Sequence, residues 1–403
     1  MVGALAHRNF RIVWFAALGS TIGTWMQQYA QSWLVYQLTS SNFYLGIDSF
    51  LGQLPILLLM LIGGVIADRH DRRRLLTTSQ YIQAASAFAL AVLVFTDTVT
   101  VWYIFLLSFI SGCGQAFGGP AYQSLFPSLV PRRDLPSAIG LNSTQFNLSR
   151  AIGPAAGGAV LATIGMAWCF VLNGLSFFIV IIALVLLHLP KHMPAKTRQS
   201  IRNDLKTGLR YVRDHRLMLT LTVLGFVATF LAMPLITLMP SFATDVLGGV
   251  GTPETRLSML MAFQGFGAIT GALIVGSLGQ FKRMGAAFLG VQIVLGLLLA
   301  SFALSRTFEL SLLLLFVCGM FYMAVFSISF SLLQLTVPDE LRGRVISIYM
   351  VALRSGGPIG ALVAGAFADA FSAPTVMTIN GLTLSLLAVT LLSLGRGSSL
   401  RKV

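Results

Sequence analysis

The sequence predicts an all-α membrane protein: twelve transmembrane helices in two pseudo-symmetric six-helix bundles. Three observations predict it. The chain is 56% hydrophobic and 10% charged, with a mean hydropathy of +0.83, whereas soluble domains carry about 25% charge. Charge is almost entirely confined to the gaps between long apolar runs. All but four of the 27 Lys and Arg lie in the termini or in every second gap, and loops rich in these residues stay cytoplasmic. Finally, matching phrases recur half a chain apart.

A membrane-crossing helix needs about 20 apolar residues. Runs at 10–37, 43–67, 75–95, 101–126, 137–164 and 168–189 meet this, as do 217–245, 256–278, 285–305, 310–335, 345–370 and 374–394. Only helices or closed barrels satisfy their backbone in lipid. Unbroken runs of this length are helices, not the roughly ten-residue alternating strands of a barrel. Arg8 and Arg11 stand at the start of the first run, which lacks a small-residue cleavage site and reads as an uncleaved span. The predicted domains are 1–189, a cytoplasmic linker over 190–216, and 217–403. The linker holds eight Lys or Arg and two acids. Its Ile201, Leu205, Leu209 and Val212 recur at helical spacing and predict an amphipathic helix on the membrane surface.

The halves look duplicated. Val130-Pro131 precedes the fifth span and Val337-Pro338 the eleventh. Arg150-Ala-Ile-Gly-Pro154 matches Arg354-Ser-Gly-Gly-Pro358. Such duplication marks transporters, whose sites sit between the repeats.

Several classes are excluded. The net charge of +14 is split among short loops, which argues for topology and anionic lipid, not nucleic acid. No Gly-x4-Gly-Lys-Ser/Thr loop is present, so no nucleotide hydrolysis is expected by that route. No potassium-filter sequence and no nucleophile with a base is visible. Cys113, Cys169 and Cys318 lack metal-ligand spacing and read as core residues. No metal or cofactor is expected, and the chain does not read as an enzyme.

Between spans two and three stands Gly64-Val-Ile-Ala-Asp68-Arg69-His-Asp71-Arg72-Arg73-Arg74. It resembles the loop motif of the major facilitator superfamily, Gly-x-Leu-Ala-Asp-Arg-x-Gly-Arg-Arg/Lys, with Asp71 in place of its second glycine. The resemblance implies a cytoplasmic gate built on Gly64, Asp68, Arg69, Arg72 and Arg73. The matching loop of the second half is degenerate, with Gln280 where the acid would stand. The fifth span carries Gly140, Ser149, Gly153-Pro154, Gly157 and Gly158. This is similar to the superfamily's antiporter motif, with Ser149 replacing one glycine, and implies export. Phe10-Arg11, Ala67-Asp68-Arg69 and Gly208-Leu-Arg-Tyr-Val resemble the bacterial enterobactin-exporter and secretion-effector branch. The fourth span, Ser111-Gly-Cys113-Gly-Gln115-Ala-Phe-Gly118, lacks the arginine of many proton-coupled exporters.

Charges inside spans are costly and point to function. Arg150 and Arg354 lie roughly 14–20 Å deep, near the middle of a core about 30 Å thick. They bind an acidic or oxygen-rich ligand, or serve as interhelical glue. Asp48 is the one acid clearly inside a span, a proton acceptor or an outer cap. Asp245 and Asp369 are weaker candidates. The resemblance implies a cavity lined mainly by spans one, four, seven and ten. There Gln27, Gln31, Gln115, Tyr122 and Tyr322 are candidates, joined by Asn142 and Gln145 of span five. Amides and aromatics with little charge suit an amphipathic ligand.

The function expected from the resemblance is a proton-driven exporter of a small organic molecule. The protein is expected to be a monomer, multi-pass in a bacterial inner membrane, with both termini cytoplasmic. A solute uptake permease is one alternative; a transport-inactive scaffold or sensor is another.

Overall fold

The computed structural model describes residues 3–69, 71–187, 201–249, 251–279 and 283–393, and among these the structure is all helical. In chain order the long helices are α1 (Arg8–Thr39), α2 (Asn42–Arg69), α3 (Arg72–Phe95), α4 (Val101–Leu125), α5 (Leu135–Ile164) and α6 (Met166–Leu186). A shorter helix, α7 (Ile201–Asp214), follows. Then come α8 (Arg216–Ala232), α9 (Pro234–Ser241), α10 (Pro253–Leu278), α11 (Met284–Leu304), α12 (Phe308–Thr336), α13 (Asp339–Phe371) and α14 (Ala373–Ser393).

The predicted spans differ from these helices by a few residues at their ends. Among the described residues, ten helices are long and apolar enough to cross a membrane. Helices α1 and α5 have 32 and 30 residues but carry more polar side chains. The seventh run departs from expectation. It is not one α-helix but α8, α9 and a π-helical turn, Phe242–Val246. The junction falls at Met233, because Pro234 has no N–H to continue the α8 ladder. Pro154, by contrast, sits inside an uninterrupted α5.

Contacts group the chain into two compact units. Unit 1 comprises Met1–Ser40, Ile47–Lys196 and Thr252–Ala262; unit 2 comprises Ser41–Gly46, Thr197–Gly251 and Phe263–Val403. In unit 1, α1 packs on α5 and α6, and α3 on α4 and α6. One core cluster joins Phe10, Val13 and Trp14 of α1 to Leu125 at the end of α4, to Phe126 and Leu129 just after it, and to Leu184 of α6. The Trp14 indole donates to the Leu141 carbonyl at 2.9 Å, which satisfies the polar tip of a buried aromatic.

In unit 2, α11 packs on α14 and α12, and α13 on α8 and α14. Helix α7 rests on α13 and α8. Gly208 makes that approach possible, since a Cβ there would meet Ile348 Cδ1 at 2.8 Å. Residues 201–214 of the linker are helical, as their spacing predicts. Val212 is buried, but Leu209 is 61% exposed, because the face that docks runs through Gly208 and Val212. The side chains of Ile201 and Leu205 lie outside the described residues, as does 188–200. Arg256 is buried in the first turn of α10.

Candidate transport site

The polar side chains of unit 1 meet mainly on α1. Asp48, six residues into α2, is half-buried. Gln31 Nε2 reaches its Oδ1 at 3.0 Å and its Oδ2 at 2.8 Å. The same nitrogen reaches Ser108 Oγ of α4 at 2.8 Å, and that hydroxyl donates to Asp48 Oδ1 at 2.5 Å. Behind them, Asn173 Nδ2 of α6 donates to Gln27 Oε1 at 2.7 Å, and Gln27 Nε2 lies 3.5 Å from Gln31 Oε1. Asp48 is the focus of a hydrogen-bonded cluster from four helices. Ser108 and Asn173 were not anticipated. The only signal for them was a polar residue inside an apolar run.

Other candidates are engaged between helices. Gln145 is buried and donates to the Ala17 carbonyl at 3.1 Å and to Thr21 Oγ1 at 2.8 Å. Tyr122 donates to Asn142 Oδ1 at 3.1 Å. Gln115 is exposed. In unit 2, Tyr322 borders a small cleft with Met233, Gln264 and Cys318.

The two matching arginines part company. Arg150 is 6% exposed, with its guanidinium 5.8 Å from the centre of the Trp25 ring, a cation–π distance. Arg354 is exposed, with no hydrogen bond or ion pair among the described residues.

The glycines of α5 set its distance from α1. A Cβ on Gly153 would fall 2.4 Å from Trp25 Cβ, and one on Gly157 2.6 Å from Tyr29 Cδ1. A Cβ on Gly158 would fall 2.3 Å from Ser258 Oγ, which donates to the Pro154 carbonyl at 3.0 Å. Gly140 has open space around it.

Of the gate motif, Gly64, Asp68 and Arg69 belong to α2, and the side chains of Asp68 and Arg69 lie outside the described residues. Asp71 caps α3, accepting from the main chain of Arg73 at 2.9 Å and of Arg74 at 3.3 Å. That explains an acid where the motif has glycine: the helix start gains a side-chain acceptor. Arg72 donates to the Ser124 carbonyl at 2.9 Å and Arg73 to the Val185 carbonyl at 3.0 Å. Both bonds lie inside unit 1, where cations meet the carbonyl ends of α4 and α6.

Against this geometry stand the likenesses to known proteins. The profile of the transmembrane secretion effector family matches residues 2–399. The chain belongs to that family. Its members are major facilitator transporters, so this is a multi-pass membrane transporter and not an enzyme. The chain is 28% identical over 394 residues to the multidrug efflux pump Tap of Mycolicibacterium fortuitum, covering 96% of this chain and 95% of that protein. It is 24% identical over 389 residues to macrolide efflux protein A of Streptococcus pyogenes, covering 94% of each. It is also 24% identical over 389 residues to the enterobactin exporter EntS of Citrobacter koseri, covering 96% and 92%. Among solved structures, a bacterial homologue of the lysosomal transporter Spinster superposes with a TM-score of 0.76 at 13% identity, covering 96% of each chain. The nucleoside transporter NupG gives 0.74 at 14%, covering 96% and 98%. These two establish the fold alone.

Proposed function

We propose that this transporter is a proton-driven exporter of a small amphipathic organic molecule across a bacterial inner membrane. It works by alternating access of two six-helix bundles, 1–189 and 217–403, with the linker 190–216 and both termini in the cytoplasm, and acts as a monomer. The observation that carries export is the close fit of Gly153 and Gly157 against Trp25 and Tyr29. It gives the antiporter-like motif a physical role, as small residues that let α5 lie directly on α1. Full-length likeness to pumps whose names specify drugs, macrolides and enterobactin supports the same direction. These compounds have broad amphipathic surfaces in common, which suits a site of amides and aromatics. Arg354, being exposed, is the better placed arginine to meet a ligand. The loop of Asp68, Arg69, Arg72 and Arg73 serves as the cytoplasmic gate.

The test is transport in proteoliposomes under an imposed pH gradient, with a panel of a macrolide, a tetracycline and a catecholate. Accumulation that follows the gradient is expected. Movement indifferent to the gradient would remove proton coupling, and no movement of any compound would favour a sensor. Asp68→Asn should lower transport while leaving expression intact, because the gate loses its charge.

A further inference from the structure

We propose that Asp48 and the amides converging on it form a binding site for an organic cation, with the ligand supplying the counter-charge that the protein withholds. The inference rests on the transporter reading above.

A carboxylate inside a membrane protein ordinarily keeps a cationic partner, because an isolated charge away from water is costly. Asp48 has none among the described residues. The carboxylate receives only neutral donors, the Gln31 amide and the Ser108 hydroxyl. The four helices of the cluster carry Lys or Arg only at their inner ends: Arg8 and Arg11 on α1, Arg69 on α2, and none on α4 or α6. Asp48, only six residues from the outer end of α2, is remote from these. Arg150, on the neighbouring α5, has its guanidinium over Trp25.

The hydrogen-bond directions sharpen the point. Asn173 donates to Gln27 Oε1, Gln27 to Gln31 Oε1, and Gln31 to Asp48. Every donor in the chain points toward the carboxylate, so the dipoles add and polarise one another. Such a chain holds a carboxylate in one orientation but leaves its net charge uncompensated. Amide side chains also do not pass protons along, so the row positions the acid and does not conduct. Asp48 and Gln31 are both half-buried residues. In a poorly screened site, attraction to a cation is several times stronger than in water.

A proton would be an equivalent counter-charge, so the probe must be a cation without a titratable proton. Tetraphenylphosphonium binding to the full-length protein in nanodiscs at neutral pH, with empty nanodiscs as reference, meets that need. Saturable binding is expected. Asp48→Asn should weaken it by about tenfold or more, since a charge-assisted contact is lost, and Asp48→Glu should largely keep it. Gln31→Ala and Ser108→Ala should each weaken it several-fold by freeing the carboxylate to turn. Melting curves must show each variant folded. Absence of saturable binding, or unchanged affinity in folded Asp48→Asn, overturns the proposal. Gradient-driven export of other compounds without phosphonium binding defeats this proposal alone; phosphonium binding without transport of any compound defeats the exporter reading alone.

Discussion

The main-chain N–H of Asn42 donates to Asp369 Oδ1 at 2.6 Å, joining residues 327 apart in the chain. The other carboxylate oxygen accepts from the Phe43 N–H at 3.2 Å and from the Ser41 hydroxyl. An acid near the end of α13 thus caps the start of α2, doing for another segment what an N-cap residue does for its own helix.

Removing that cap should loosen the first turn of α2. Asp369→Ala is expected to cost about 1 kcal/mol locally. Amide hydrogen exchange over residues 41–46 should then quicken by about fivefold. Asp369→Asn keeps an acceptor oxygen and should show a smaller change. Equal exchange in wild type and Asp369→Ala would mean that water serves these donors as well.

Two glycines of the fifth span should respond differently to one methyl group. Gly153→Ala drives a Cβ into Trp25, so we expect destabilisation of about 1–3 kcal/mol and loss of transport. Gly140→Ala meets nothing within 4 Å and should be neutral or stabilising by up to about 1 kcal/mol, alanine being the better helix former. Melting of the two purified variants decides it; equal melting temperatures would dissolve the packing role of the motif.

Asp71 should matter as a cap. Asp71→Ala is expected to cost about 1 kcal/mol, and Asp71→Gly, which restores the superfamily's residue, only a few tenths. Melting temperatures that rank glycine below alanine would contradict the capping role.

The N-terminal turn, Gly3–Ala6, should undock in acid. His7 Nε2 lies 2.8 Å from Asp134 Oδ2. That hydrogen bond holds the Asp134 carboxyl below the ordinary carboxylate range, prevailing over partial desolvation, and Arg133 at 3.5 Å pulls the same way. A depressed carboxyl pKa contributes stability above its unfolded value of about 3.9, and that contribution is lost as pH falls through the lower folded value. Labelling of a cysteine placed at Leu5 should therefore stay flat from neutral pH to about 4 and rise below it. In Asp134→Asn the labelling should be high throughout. A profile that is identical in the two proteins would make the contact incidental.

Much of the fold was legible because lipid imposes a simple rule on sequence. A span must be long and apolar, and its flanking charges must alternate. The runs at 101–126 and 285–305 accordingly became α4 (Val101–Leu125) and α11 (Met284–Leu304) within one residue at each end. The break at Met233 was missed because a proline inside an apolar run is compatible with either a kink or a continuous helix. Pro154 illustrates the second outcome within the same chain. At the site, Asp48, Gln27 and Gln31 were visible as rare polar residues in apolar runs. Their partners Ser108 and Asn173 were not, because serine and asparagine in a span are more often local glue.

What the sequence by itself determined is the helical class, the approximate extent of most helices and the family, all of which rest on local composition, spacing and contiguous motif. What only the tertiary structure decided is which side chain meets which. Arg150 and Arg354 occupy matching positions in the two halves, yet one is packed over Trp25 and the other is exposed. Asp369 reads only as a weaker candidate acid, yet it caps a helix that begins 327 residues earlier. The physical reason is that helical periodicity assigns a residue to a face, whereas its partner depends on how separate helices pack, and no local pattern encodes that.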